Sequence, residues 1–167
     1  MAMTIRAAAP LDGEAALPLV LLLQHLKDPE DDDAIVDAAR YGALAWIEQH
    51  VGQSLSLRAW TASWPTGSAA SGRLRLPMGP VASITAVTYG ADKETWNPAS
   101  YSLAGDEVFT ASGLAWRTAF ADIPFAVEYT AGYADLSVEA PALFSAALLL
   151  AGHLYRNREE NSAAPLS

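Results

Sequence analysis

At 167 residues the chain has the length of about one domain and can bury a real core. Its 51% hydrophobic and 17% charged residues read as a folded protein, with alanine inflating the apolar count. A formal charge of -9 argues against a protein that grips a phosphate backbone through a basic patch, and the lack of cysteine removes disulfides and thiolate sites and fits a cytosolic origin.

Residues 1–13 show no sustained period and are expected to be a flexible N-terminal arm. Residues 15–27 place Leu19, Leu22, Leu23 and Leu26 at helical spacing, with Pro18 tolerated in the first turn. The apolar run 17–23 follows Asp12 and Glu14, where a signal peptide wants positive charge. That run and residues 143–155 are both shorter than the roughly 20 apolar residues of a membrane span, so no membrane is expected. The acidic stretch 28–33 breaks the first helix and supplies a cap and negative charge for the next. It lacks the glycine and terminal glutamate of a calcium loop. A second helix is predicted over 32–51, with Ile35, Ala39, Gly42, Ala43, Trp46, Ile47 and His50 or Val51 on one face and Gly52 ending it.

From residue 55 to 130 the period changes from helical to alternating. Strands are predicted over 57–64, 73–77, 81–89, 101–103, 108–110 and 124–129, with turns at Asn97-Pro98 and Ala104-Gly105-Asp106. Residues 65–72 form a Gly/Ser/Ala loop with little to pack. The last helix begins near Pro141, whose missing N–H costs nothing in a first turn. Leu143, Phe144, Ala147, Leu148, Ala151, Leu154 and Tyr155 give it an apolar face, which Leu149 and Leu150 widen, and Arg156 and Arg158 suit its negative end. Beyond Asn161 no pattern remains.

The expected fold is therefore α+β: a three-helix core with a small antiparallel β-region inserted between the second and last helices. Residues 14–160 form the domain and 161–167 a C-terminal tail. Ile35, Trp46, Ile47, Leu143, Phe144, Leu148 and Leu154 are the expected core.

A search for chemistry yields no catalytic, cofactor or metal site. No phosphate loop of the Walker type is present. His25, His50 and His153 each lack a partner at ligand spacing, and Ser63, Ser68 and Ser71 lie in no nucleophile elbow. Asp92, Glu94, Asp106, Glu107, Asp122 and Glu128 could pair across strands as a glycosidase requires, but most lie at predicted turns. Of the five tryptophans, Trp46 suits a core, while Trp60, Trp64, Trp96 and Trp116 are candidates for a subunit or neck interface or a sheet face, or else for a base-stacking or sugar platform.

Several phrases recur in a known order. Residues 26–35 read LKDPEDDDAI and 76–89 read LPMGPVASITAVTY; Asn97-Pro98-Ala99-Ser100-Tyr101 and Tyr129-Thr130-Ala131-Gly132-Tyr133 follow. An apolar helix ends at residues 148–159 in a Tyr, Asn, Arg, Glu cluster. Together these resemble the head-tail connector, or adaptor, proteins of long-tailed bacteriophages and gene transfer agents, over residues 17–160.

The resemblance implies a homo-oligomeric, dodecameric ring beneath the portal protein, at the head-tail junction of a virion and in host cytoplasm before assembly. Such a ring extends the DNA channel without sequence-specific binding and offers a platform to the next neck or tail connector protein. In the family the C-terminal part engages the portal, which carries that role to Tyr155, Arg156, Asn157, Arg158, Glu159, Glu160, Asn161, Pro165 and Leu166. An acidic chain suits a lumen that must not bind DNA. The chain departs from the family pattern in its long loop at 65–72 and its alanine-rich first helix. The alternatives are another neck component, a stopper or tail terminator, and a small enzyme or ligand-binding β-domain, which a deep pocket with converging polar groups would favour.

Overall fold

The alternating middle of the chain folds into sheet. A computed structural model describes residues 3–27, 33–65, 73–111 and 123–157. Among these, the strands are β1 (Thr4–Ala7), β2 (Arg58–Trp64), β3 (Arg73–Arg75), β4 (Val81–Tyr89), β5 (Glu94–Thr95), β6 (Tyr101–Ala104), β7 (Glu107–Thr110) and β8 (Phe125–Ala131). A five-stranded sheet runs in the order β1-β2-β8-β4-β5 and a three-stranded sheet in the order β3-β7-β6, both antiparallel. Both belong to one compact unit, built from the residues up to Pro10 and from Gly52–Gly132.

Strand periodicity decides what this unit buries. In the register of β2 on β8, Trp60 faces Tyr129, Ala62 faces Val127 and Trp64 faces Phe125, and all six are buried. Val87, Leu74, Leu76 and Val108 complete one apolar cluster that joins the two sheets. The alternate positions Thr61, Ser63 and Glu128 are left half-buried or exposed.

Two expectations change here. Trp60 and Trp64 are not at an interface: each is only 6% exposed, because both fall on the inward parity of β2. The Trp64 ring stacks on Phe125 with centroids 5.2 Å apart. The stretch 1–13, expected as an arm, contributes β1, whose Ile5 and Trp60-facing Ala7 pair with β2 at the sheet edge.

The segment 76–81 has little regular structure of its own, yet its backbone is fastened at almost every residue. The Leu76 N–H donates to the Asp106 carbonyl and the Val81 N–H to Asp106 Oδ1, both at 2.8 Å. The Tyr129 hydroxyl donates to the Pro77 carbonyl at 2.6 Å. Ser54 N–H reaches Gly79 O at 3.0 Å, and Gly132 N–H reaches Pro80 O at 2.9 Å. Burial, with the nearby Asp106 charge adding, pushes the Tyr129 hydroxyl far above its ordinary pKa, so it remains a donor. Gly79 sits so close to Asp106 that an added Cβ would lie 2.5 Å from Oδ2.

Asp106 thus clamps both ends of the segment. Asp106→Ala keeps the backbone bond to Leu76 but leaves the Val81 N–H without its partner. A loss of about 1–2 kcal/mol is expected by urea denaturation. An unchanged midpoint would remove Asp106 from this role.

The helices form the second compact unit, Leu11–Val51 with the residues from Tyr133 on. They are α1 (Gly13–Ala16), α2 (Leu19–Leu26), α3 (Asp33–Val51), α4 (Leu136–Glu139) and α5 (Pro141–Arg156). The fold is α+β, with every strand except β1 lying in sequence between α3 and α4. Pro18 splits the expected first helix. It stands at the N-cap of α2, while α1 has its own cap in Asp12, whose Oδ1 accepts the Ala15 N–H at 3.0 Å. Lys27, in the left-handed region at φ 63°, closes α2.

On α3 the buried face differs from the expected one. Val36, Ala43, Leu44 and Ile47 are buried together with Arg40 and Glu48, whereas Ile35 is 44% and Trp46 56% exposed. The buried line is set by Val36, Ala43, Leu44 and Ile47, about one residue round from the expected face, and Arg40 falls on it with its charge satisfied. Its Nη1 donates to Glu14 Oε2 at 2.7 Å and to the Leu17 carbonyl at 2.9 Å, and Nη2 pairs with Asp37. The guanidinium therefore ties α1 and the α1–α2 turn to α3.

On α5 the deeply buried line is small: Ala147, Ala151 and Gly152. A Cβ on Gly152 would lie 3.3 Å from the His25 ring, which shows how closely α2 approaches there. Leu143, Phe144 and Leu148 are half-buried, and Ile47 is core as expected. Leu154 is 39% exposed, because it lies over Gly42 at the margin of the α3 contact rather than within it.

Candidate interaction surfaces

The C-terminal end of α5 carries the described part of the expected docking element. Tyr155 is half-buried, Arg156 is exposed, and Asn157 caps the helix with its backbone N–H bonded to the His153 carbonyl at 3.0 Å. The Asn157 amide also lies 2.8 Å from His153 Nδ1, fastening the last turn. Arg158, Glu159, Glu160, Asn161, Pro165 and Leu166 lie outside the described residues, as does Trp116.

Trp96 is half-buried beside Tyr101, ring centroids 6.0 Å apart, and burial raises the Tyr101 pKa. The two form part of the margin of the β-core. Among the described tryptophans, Trp46, expected in the core, is the exposed one. It stacks on His50 with centroids 4.8 Å apart and planes 7° from parallel.

Among the described residues no three His, Cys, Asp or Glu side chains come together as metal ligands. No described helix is long and apolar enough to cross a membrane. A groove of about 270 Å³ in the β-unit is lined by Trp64, Phe125, Pro65, Pro124 and Thr88, with Lys93 as its titratable residue. A smaller one of about 190 Å³ in the helical unit has Leu21 and Phe144 on its walls beside Asp135 and Ser137. That aspartate is a helix cap. Its Oδ1 accepts the Ser137 hydroxyl at 2.6 Å and the Ser137 and Val138 N–H groups, and these bonds, the Ser137 hydroxyl first, hold its pKa low.

The phrases that carried the family resemblance meet one another. Residues 76–81 receive the Tyr129 hydroxyl and the Gly132 N–H, so two of the phrases interlock within the β-unit. Asn97 caps the short turn Pro98–Ser100 by accepting the Ala99 N–H at 3.0 Å. These residues hold the fold. Sequence reading missed the exposure of the Ile35–Trp46 side of α3; the signal for it was the apolar set Val36, Ala43, Leu44 and Ile47 at helical spacing, which Arg40 and Glu48 on the same line disguise.

Comparison with protein-family models and with curated proteins returns no match. Comparison with solved structures does. A chain of a structure described as the virion of a native gene transfer agent particle superposes with a TM-score of 0.81, at 22% identity, over 98% of this chain and 89% of that one. A chain from the neck of the native particle, computed with C12 symmetry, gives 0.76 at 23% identity over 98% and 88%. One from the neck of the empty particle, computed with C6 symmetry, gives 0.77 at 22% over 92% and 84%. The chain shares its fold, across nearly its whole length, with chains of the gene transfer agent virion and neck.

Proposed function

We propose that this chain is a structural neck protein, the head-tail adaptor of a phage-like particle. It forms a dodecameric ring under the portal, extends the DNA channel and presents a platform to the next connector. The observation that carries this reading is the near full-length match to neck chains of a particle resolved with C12 symmetry. The acidic chain supports it, because a wall of negative charge lets DNA slide past without adhering. The exposed apolar side chains Trp46, Leu149 and Val20 support it too, since a chain that works inside an assembly keeps such surface for its neighbours.

Portal docking falls to the end of α5 and the tail, from Tyr155 to Leu166, in this reading. Deleting residues 161–167 should leave the melting temperature unchanged and reduce attachment to portal-bearing heads, read by co-sedimentation. Full attachment by the truncated chain would rule out the tail as the docking element.

A further inference from the structure

One side of α3 has no charged residue along most of its length. At about 100° per residue, Ile35, Gly42, Trp46 and Gln49 fall within about 60° of one another. Ile35 is 44% and Trp46 56% exposed, and the ring of Trp46 is pinned by its stack on His50. Leu154 of α5, 39% exposed, extends the stripe past Gly42, where an added Cβ would lie 3.6 Å from its Cδ1. A large aromatic already held in place loses little freedom on docking and is the kind of residue that anchors an interface.

Charge points to the occupant. Each copy of a chain carrying -9 repels the next wherever acidic surfaces approach, so copies associate best through an uncharged face. A basic partner would instead be drawn to the acidic surface. Resting on the ring reading above, we propose that the Ile35–Trp46–Leu154 stripe is the face by which one copy packs against the next. A closed ring of many copies needs head-to-tail contacts, so the stripe meets a different surface of its neighbour.

A photo-crosslinking substitution, Trp46→p-benzoylphenylalanine, carried in the full chain and co-produced with the unsubstituted chain in particles, tests this. Irradiation should yield a product of two copies in which position 46 is joined to a neighbour peptide lacking residue 46. An adduct to a different polypeptide overturns the occupant, and a product joining 46 to 46 overturns the head-to-tail contact. A substituted chain that enters particles but gives no adduct overturns the face. Absence of the unsubstituted chain from purified particles overturns the ring reading itself, which keeps the two failures apart. A second variant, Trp46→Glu, should keep its melting temperature while its incorporation falls about tenfold or more. Normal incorporation of that variant also sinks the proposal.

Discussion

Gly132→Ala should cost the β-unit about 4 kcal/mol, the largest effect expected of any single methyl in this chain. Gly132 is buried at φ 119°, a region that side-chain-bearing residues rarely adopt, and an added Cβ would collide with the Ser56 carbonyl oxygen. The obstacle is backbone, which cannot swing aside like a flexible side chain. Its N–H also donates to Pro80, so displacement of Gly132 loosens the clamped segment 76–81. Thermal denaturation should show a fall of roughly 10 °C. A shift under about 2 °C would mean that the Ser56–Gly132 contact yields readily.

Arg40→Ala is the second large effect, about 3 kcal/mol. The side chain is 6% exposed and bonds the Leu17 carbonyl, Glu14 and Asp37, so its removal strips the α1–α2 turn of its tie and leaves a void beside α3. Part of this should depend on pH. The Arg40 hydrogen bond, followed by the Leu19 N–H, holds the Glu14 pKa below its ordinary 4.5. A depressed carboxyl stabilises the fold above its unfolded value and loses that contribution as pH falls through the folded one. The gap between wild type and Arg40→Ala should therefore be widest near neutrality and narrow below about pH 4.5. Because Glu14 is mostly exposed, the narrowing is small beside the total. A gap that grows on acidification would contradict the pairing.

The long periodic elements were legible. Residues 32–51, 81–89 and 141 onward announced themselves through apolar spacing, and the structure places α3, β4 and α5 there. What escaped was hidden by chemistry at odds with position. Arg40 is charged and buried; Trp46 is apolar and exposed; reading burial from residue type therefore turned α3 the wrong way. β1 has four residues, Thr4–Ala7, too few for their polar and apolar alternation to stand out. Trp60 and Trp64 could have been placed inside by parity alone, since Ala62 between them shares their side of β2. Tyr155, Arg156 and Asn157, assigned to docking only in the proposal, lie at a helix end, where a charged run after an apolar one marks the boundary of a core.

The way residues 76–81 are held has a consequence for which substitutions the segment tolerates. Each of the bonds that fix the segment ends on one of its main-chain atoms, at Leu76, Pro77, Gly79, Pro80 and Val81. Side-chain changes there leave those bonds possible, except at Leu76, which is buried in the core, and at Gly79, which abuts Asp106. What the bonds require is the donors and acceptors that reach in: the Tyr129 hydroxyl, Asp106 and the backbone of Ser54 and Gly132. A frame held by main-chain contacts is compatible with superposing on a neighbour over 98% of this chain at only 22% identity.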